Sequence, residues 1–300
     1  MGAQMQRGAY SRVPGLRRRN AQLHWAMRGQ DPLLPSLPCV FGGCYDALSM
    51  LTVEEQTQAA QPAGTGTEKE RAVQRMFSSI ARYYDLNNSL LSLGLHHSWK
   101  RHAVEFLLED PPHPDPLPPR ARESLKYVLD VGAGTADLAL LAASRLGEKA
   151  RIVAADLNVP MLKIGIEKVR HAERQRQIVC VQANAERLCV PDASFDAVTT
   201  GFCMRNVGDL TTALREILRA LKPGGRLICL EFSRPTAGWL CGLYDWYSFT
   251  LLPWVGTKVS GDNTGVYDYL PASIRAFPDQ EGLARLMREV GFTRVEYRNL

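Results

Sequence analysis

The chain has 300 residues, of which 45% are hydrophobic and 22% are charged, an ordinary composition for a globular protein. The formal net charge of +5 comes from six arginines within residues 1–30, because the remaining chain carries 30 basic and 31 acidic residues. No apolar run is long enough to cross a bilayer, and the nearly neutral remainder has no overall basic excess for a nucleic-acid backbone. No nucleic-acid partner is therefore expected.

Residues 1–67 are predicted to be a disordered extension, because no hydrophobic period of 2 or 3.6 residues is sustained there. The arginine-rich, acid-free first 30 residues are compatible with an organelle transit peptide. A tail without function, or an upstream start codon, is the slightly favoured alternative. The seven cysteines include no C-x-x-C pair, so a zinc ribbon or a redox site is not indicated.

A helical cap is predicted for residues 68–109. One amphipathic pattern runs from residue 68 to residue 84, and a second covers residues 88–108 with a possible break near Gly94. Six prolines between residues 110 and 120 require a loop after the cap.

Short apolar segments then alternate with amphipathic segments. The predicted strands are 127–131, 151–155, 178–182, 195–200, 226–232 and 294–298, and the predicted helices are 137–145, 159–174, 210–221 and 280–290. This alternation predicts an α/β domain over residues 68–300, with a mostly parallel sheet covered by helices on both faces.

A glycine turn follows the first strand of this domain. Gly132 and Gly134 allow a tight turn and a close approach of backbone to a ligand. In a dinucleotide fingerprint a third small residue would follow, but this chain has Asp137 there. Asp130, two residues before the first glycine, would repel a pyrophosphate and suits an ammonium group. The pattern therefore favours S-adenosylmethionine (SAM) over NAD as the cofactor.

Two later strand ends add polar groups to the same edge of the sheet. Asp156 ends the second strand, where a carboxylate can accept hydrogen bonds from the ribose hydroxyls of either cofactor, or can cap the following helix. Asn184 follows the third strand, where it can read an adenine edge. Both residues indicate a nucleoside site.

Seven further segments resemble the UbiE family, the C-methyltransferases of menaquinone and ubiquinone synthesis. These segments are 76–85, 93–99, 202–207, 221–225, 229–233, 269–275 and 277–280. The resemblance covers residues 68–300 and implies a class I, Rossmann-like methyltransferase. It also implies methylation of 2-demethylmenaquinol, or of the corresponding methoxy-benzoquinol, so an isoprenoid quinol is the expected substrate.

The resemblance implies cofactor contacts at Thr135, Asp156, Asn184 and Ala185. The family usually has serine where this chain has Gly201, so a cofactor contact at Gly201 is expected from its backbone. The family usually has glycine at the position of Ala136, and this departure is expected to be mild if Ala136 keeps a negative φ.

Family members usually continue past the position of Leu300 through one more strand, which runs antiparallel between the fifth and sixth strands of the domain. That strand is apparently missing here. We therefore expect either a truncated chain or a sixth strand that moves inward to pair with residues 226–232.

Arg205 is the predicted catalytic residue. A quinol carbon becomes a strong nucleophile when a neighbouring phenol, with a pKa of about 10, loses its proton. A guanidinium remains protonated, so Arg205 can stabilise the phenolate and hold a water that takes the proton. Asn206 is expected to orient Arg205 and to contact the substrate.

Tyr84 and Asp85 are predicted substrate contacts on the cap. Asp85, His96 and His97 are candidate proton acceptors, although partly exposed helix positions are the favoured interpretation of both histidines. His102 lies on a different helix face from His96, so no metal site is expected.

The aromatic segment 239–256 is predicted to be a lid over the isoprenoid tail or a patch on the bilayer, with an ordinary buried helix as the alternative. The sequence is compatible with peripheral membrane contact and with a homodimer. A cytoplasmic location is expected, and the matrix face of the mitochondrial inner membrane is the alternative.

Two other functions are less well supported. Amino-group methyltransferases usually carry Asn/Asp-Pro-Pro-aromatic after the fourth strand, whereas residues 202–206 read Phe-Cys-Met-Arg-Asn. An inactive scaffold would not require the intact Asp130, Gly132, Gly134 and Asp156.

Overall fold

A computed structural model of the chain describes residues 3–8, 68–92, 94–109, 125–233, 269, 273–274 and 276–300. In these stretches no helix is both long enough and apolar enough to cross a membrane. The proline-rich segment 110–120 and the aromatic segment 239–256 lie outside the described residues, so the structural predictions for them remain predictions.

Seven strands form one sheet in the order β4-β3-β2-β5-β6-β1-β7. The strands are β1 (Ala3–Gly8), β2 (Tyr127–Val131), β3 (Arg151–Asp156), β4 (Ile178–Gln182), β5 (Phe195–Gly201), β6 (Leu221–Phe232) and β7 (Val295–Asn299). Strands β2 to β6 pair in parallel. Their carboxyl ends therefore meet at one edge of the sheet, which is where ligands bind in folds of this kind.

Seven helices accompany the sheet in the described part of the chain. They are α1 (Glu68–Ile80), α2 (Tyr84–Leu91), α3 (Leu95–Leu108), α4 (Asp137–Leu146), α5 (Val159–His171), α6 (Leu210–Ala220) and α7 (Gln280–Val290). Helices α1 to α3 form the predicted cap. The break before α3 is confirmed at Gly94, whose φ of 78° no ordinary helical residue adopts.

Helices cover both faces of the sheet, as the sequence pattern predicts. On one face, buried side chains of α3, α4 and α5 pack together, among them Leu107, Leu138 and Val169. On the other face, α6 and α7 contribute Leu214 and Met287 to a second apolar cluster. The central strands are buried from both sides, which explains their nearly continuous apolar sequences.

Most predicted strand boundaries agree with the structure to within one residue, and β6 is the exception. This strand begins at Leu221 rather than at Arg226, because Leu221 already pairs with Phe195 ahead of a register shift in β5. The Lys-Pro-Gly-Gly turn therefore lies within the strand instead of preceding it. Helix α5 ends at His171, three residues earlier than predicted.

The prediction of a structureless N-terminal extension is wrong for β1. This strand lies between β6 and β7 and is antiparallel to both. Of the two alternatives expected for the end of the sheet, the direct pairing of the sixth domain strand with residues 226–232 does not occur, because β1 lies between them. Two facing strand edges with unpaired backbone groups can bind any extended segment that reaches them, and Ala3–Gly8 occupies this position.

Replacing Gln6 by proline should destabilise the fold through the backbone. Gln6 lies opposite Cys229 in β6 and Tyr297 in β7, and proline cannot donate to either ladder. We expect Gln6→Pro to cost about 1–3 kcal/mol, the typical penalty for an unpaired buried backbone group. Thermal unfolding would then occur several degrees lower. Gln6→Thr retains the N–H and should unfold close to the unmodified protein; equal melting of the two variants would contradict the strand.

Candidate cofactor and active site

The glycine turn between β2 and α4 is fixed to its neighbours by its own backbone. Gly132 has a φ of 70°, and a Cβ added there would lie 2.1 Å from the Sγ of Cys203. The N–H groups of Gly132 and Ala133 donate to the carbonyl of Ala155, at 2.8 Å and 3.0 Å. These donors are satisfied within the protein, unlike those of a loop that cradles phosphates.

Two connected cavities lie between this turn and the helical cap. The larger has about 720 Å³ of empty space and the smaller about 370 Å³, and both figures include space that is open to solvent. Tyr84 and Phe202 line both. The structure brings all eight predicted cofactor residues to the walls of these cavities: Asp130, Gly132, Gly134, Thr135, Asp156, Asn184, Ala185 and Gly201.

Asp130 is fully buried at the end of β2 and lines the smaller cavity. Its Oδ1 accepts a hydrogen bond from Thr199 at 2.9 Å, whereas its Oδ2 has no partner among the described residues. Burial raises the pKa of Asp130 to about 7, although the hydrogen bond from Thr199, the charge of Lys100 and the backbone N–H of Ala139 oppose this effect. A buried carboxylate oxygen without a partner is costly, and a cationic ligand group would satisfy it.

Asp156 and Asn184 are also bonded within the protein. The Oδ2 of Asp156 accepts from the N–H of Gly134 at 2.7 Å, and its Oδ1 accepts from the N–H of Asn158. Burial raises the pKa of Asp156 despite these bonds. Asn158, rather than Asp156, caps α5. The amide of Asn184 donates to Glu70 of α1 at 2.9 Å, which fixes Asn184 against the cap.

Asp137 connects the turn to two lysines that lie far apart in the sequence. Lys100 of α3 approaches its Oδ2 at 2.8 Å, and Lys168 of α5 approaches its Oδ1 at 2.6 Å. Burial favours the neutral acid, but the charges of both lysines outweigh it and lower the pKa of Asp137 to about 2. Lys168 also contacts Asp85 at 2.5 Å and donates to the hydroxyl of Thr135.

Asp85 therefore belongs to this ion-pair network. Thr135 donates to the Oδ1 of Asp85 at 2.8 Å. The side chain of Asp85 lines neither cavity. The predicted substrate contact at Asp85 has no support from this position. Tyr84 lines both cavities, so a substrate contact there stays a prediction. Burial raises the pKa of Tyr84 to about 12, so its hydroxyl is a neutral donor at physiological pH.

Arg205 is buried in an ion pair with Glu231 of β6. Its Nη1 lies 2.7 Å from the Oε2 of Glu231, and its backbone N–H donates to the Oε1 at 3.4 Å. The guanidinium carbon lies 5.2 Å from the ring centre of Phe232. The Nε has no partner among the described residues, and Arg205 is not a wall residue of either cavity. The sequence correctly places Arg205 after β5, but it gives no sign of this pairing.

Asn206 lines the larger cavity but does not orient Arg205 as expected. Its amide donates to the carbonyl of Phe202 at 3.1 Å, and its Oδ1 accepts from the hydroxyl of Tyr269 at 3.2 Å. The orienting contact comes from Glu231 instead. An acidic residue inside an otherwise apolar strand is the sequence signal that could have identified it.

The histidine candidates lie away from the cavities. His96 is buried, its Nδ1 lies 2.8 Å from the hydroxyl of Ser92, and burial lowers its pKa to about 4. His97 is exposed. Within the described stretches, no group of three His, Cys, Asp or Glu side chains is close enough to hold a metal ion.

Comparison with known proteins identifies the family. A model of the ubiE/COQ5 methyltransferase family matches residues 65–300. The chain belongs to this family. A ubiquinone/menaquinone biosynthesis C-methyltransferase of Pectobacterium atrosepticum is 44% identical over 233 residues, 78% of this chain and 87% of that protein. Its counterpart from Vibrio cholerae is 42% identical over 78% of this chain and 84% of that protein.

One solved structure, a SAM-dependent methyltransferase of Thermotoga maritima, is 22% identical and covers 73% of this chain and 81% of that chain. Its TM-score is 0.48. As a ubiE/COQ5 methyltransferase, the protein uses SAM as its cofactor. The cavities fit this cofactor, because the free oxygen of Asp130 offers a partner to its ammonium group.

The two departures from the usual ubiE/COQ5 residues have different structural consequences. A Cβ at Gly201 would meet Leu138 at 3.5 Å, an ordinary contact, so this position has room for a Cβ. Ala136 has a φ of 62° and a fully buried methyl group. The condition for a mild effect at Ala136, a negative φ, is therefore not met, because this left-handed region is strained for every residue with a Cβ.

Replacing Ala136 by glycine should relieve this strain. Both Ala136→Gly and Ala142→Gly remove a fully buried methyl group, at a cost of about 0.8 kcal/mol each. Ala142 lies inside α4, so its replacement also incurs the helix penalty of glycine, about 0.5–1 kcal/mol. We expect Ala136→Gly to be less destabilising than Ala142→Gly by about 1 kcal/mol or more in urea unfolding. Equal losses would contradict the strain.

Cofactor affinity should depend on pH through Asp130. Its pKa of about 7 means that the free protein holds a proton there at lower pH, and an ammonium group requires the ionised form. Affinity for the cofactor product S-adenosylhomocysteine should therefore fall as pH drops below about 7, by up to about tenfold per unit. Above that pH it should level off, until the amino group of the ligand itself loses its proton.

Isothermal titration calorimetry across this range, in buffers of different ionisation enthalpy, measures both the affinity and the proton released. Lys100 and Asp156 also act on Asp130, so Asp130→Asn is the matched control. This variant should bind more weakly and lose the step near pH 7. If the change in affinity near pH 7 persists in Asp130→Asn, it belongs to another ionisable group.

Proposed function

We propose that the protein methylates a ring carbon of a demethyl-quinol, either 2-demethylmenaquinol or the corresponding methoxy-benzoquinol. The proposal follows the names of relatives with 42–44% identity, which are ubiquinone/menaquinone biosynthesis C-methyltransferases. The observation that carries it is the buried Arg205–Glu231 pair, which lies against aromatic side chains beside the cofactor cavities.

The reaction requires an electron-rich ring carbon close to the methyl donor. When bound, SAM supplies a methyl group on a positively charged sulfur. A phenol has a pKa of about 10, so the protein must favour the phenolate near neutral pH. This requirement calls for a fixed positive donor in a water-poor site, rather than for a strong base.

Arg205 meets this requirement. Its guanidinium stays charged at every physiological pH. Burial acts to lower the pKa of Arg205, but the charge of Glu231 and the hydrogen bond to it outweigh burial and raise this pKa. Glu231 occupies the Nη1 donor and holds the group in one orientation, while the buried Nε donor has no partner among the described residues. We assign stabilisation of the phenolate to this guanidinium and proton removal to a water molecule that it holds.

Three aromatic side chains form an apolar wall beside Arg205. The rings of Phe202 and Phe232 stack with centres 4.5 Å apart, and Trp99 of the cap meets Phe232 edge-on at 5.9 Å. Such a wall suits a flat quinol ring and limits the access of water, which strengthens the electrostatic effect of the guanidinium.

We further propose that the protein works in the cytoplasm at the membrane surface. An isoprenoid tail partitions into the bilayer, so an enzyme that takes such a substrate gains from peripheral membrane contact. The segment 239–256, rich in aromatic residues, is the proposed contact.

Methyl transfer from labelled SAM to both demethyl-quinols, with short isoprenoid tails, tests the function. We expect one or both to gain a methyl group on a ring carbon, identified by NMR of the product. Removal of Arg205 should lower kcat by about 10²–10³ and leave cofactor affinity unchanged. The loss should shrink as pH rises towards the pKa of the free phenol, about 10, because ionisation then needs less help.

Arg205→Met alone leaves Glu231 as an unpaired buried charge, which can prevent folding. The double variant Arg205→Met/Glu231→Leu removes both charges and is the informative one. Arg219→Met, which removes ion pairs near the surface, should leave the rate unchanged. Methylation of a phenolic oxygen, or of neither quinol by protein that binds the cofactor, would overturn the proposal. A loss that does not vary with pH would refute the role of Arg205.

A further inference from the structure

The smaller cavity carries two side chains of opposite charge on facing elements. Asp130 reaches it from the end of β2, and Lys100 reaches it from α3 of the cap. The Lys100 side chain is only 12% exposed. The charge of Lys100 also acts to lower the pKa of Asp130, so the two groups lie within electrostatic range of each other.

The two lysines of the ion-pair network differ in the donors they have left. Lys168 has three acceptors, the hydroxyl of Thr135 and the carboxylates of Asp137 and Asp85. An ammonium group has three N–H donors, so Lys168 is fully used. Lys100 has a single acceptor among the described residues, Asp137, and Lys100 rather than Lys168 lines the cavity.

A zwitterion matches this pair of charges. The amino-acid portion of SAM carries an ammonium group and a carboxylate on one carbon, so a site for it needs an anion and a cation close together. Asp130 offers an unpartnered, fully buried carboxylate oxygen, and Lys100 offers its remaining donors. Asp137 is bonded on both oxygens and serves to hold the Lys100 ammonium in place.

We propose that Lys100 binds the carboxylate of the cofactor's amino-acid portion while Asp130 binds its ammonium group. The inference deepens the proposed function and rests on its cofactor. Because Lys100 belongs to the cap and Asp130 to the sheet, the bound amino-acid portion links the two parts across the cavity. The cap therefore takes part in cofactor selection as well as in substrate binding.

Calorimetry with two ligands isolates this contact. S-adenosylhomocysteine has the carboxylate, and its decarboxylated analogue keeps the nucleoside, the sulfur and the amine. The unmodified protein should bind the first about 10–100-fold more tightly, the usual range for a charge-assisted hydrogen bond. Titrations at about pH 8 keep Asp130 ionised, so that its protonation does not enter the comparison.

Lys100→Gln should reduce this preference to less than about threefold. It should weaken the binding of S-adenosylhomocysteine and leave the affinity for the decarboxylated analogue nearly unchanged. Lys100→Arg should restore most of the preference. Lys168→Gln is the matched control from the same network, and it should change the affinities for both ligands by the same factor. Arg101→Gln, an exposed neighbour, should change neither.

Equal weakening of both ligands by Lys100→Gln would overturn the inference and reduce Lys100 to a support of the network. An unchanged preference in that variant would overturn it as well. Either result leaves the proposed function standing, because the unmodified protein still binds the cofactor product. Failure of the unmodified protein to bind S-adenosylhomocysteine would instead remove the cofactor, and both proposals with it.

Discussion

The ion pairs of Asp137 hold the helical cap against the sheet, and the two cavities depend on that contact. Lys100 comes from α3 and Lys168 from α5, and Lys168 extends the network to Asp85 at the start of α2. An isolated surface ion pair contributes little to stability. Here several partly buried charges share partners, so loss of one leaves others unpaired at a larger cost. The ion-pair network therefore fixes the position of the cap relative to the turn before any ligand binds.

Two of the four non-glycine residues with a positive φ in the described part of the chain lie beside the same turn. Gly132, Gly134 and Ala136 have positive φ angles on the loop after β2, and Phe202 has a φ of 58° on the loop after β5. The last two carry side chains, for which this conformation is unfavourable. Such strain persists when surrounding contacts compensate for it, and it commonly marks ligand sites. The packing of Cys203 against Gly132 connects the two loops, so neither can relax without moving the other.

The sequence predicted the parts of the fold that depend on local patterns. Strand β2 reads as a short apolar segment, and burial from both faces requires that composition. The sequence could not predict β1, because a segment such as Ala-Gln-Met-Gln-Arg-Gly has no strand pattern of its own. The environment determines its structure: two strand edges require partners, and the segment supplies the backbone groups that satisfy them.

In the candidate site, too, the sequence predicted what depends on local patterns and not what depends on tertiary contacts. The glycines and the acids at the strand ends were identifiable, since their roles follow from their position along the chain. The partners of those residues were not, because each pair joins distant segments. Lys100 lies 37 residues from Asp137, and Glu231 lies 26 residues from Arg205. Side chains from different elements meet through the tertiary fold, and a single sequence does not record which of them meet.

The balance of charge explains why this turn selects a sulfonium nucleoside and not a dinucleotide. Asp85, Asp130, Asp137 and Asp156 place four acids around the turn, against the two lysines of the network. A pyrophosphate would add negative charge beside Asp130 and would find the N–H groups of Gly132 and Gly134 already bonded to protein acceptors. SAM carries one net positive charge, which offsets part of the acidic excess at the position where burial makes it most costly. The acids that the fold leaves incompletely neutralised therefore determine which cofactor can occupy the site.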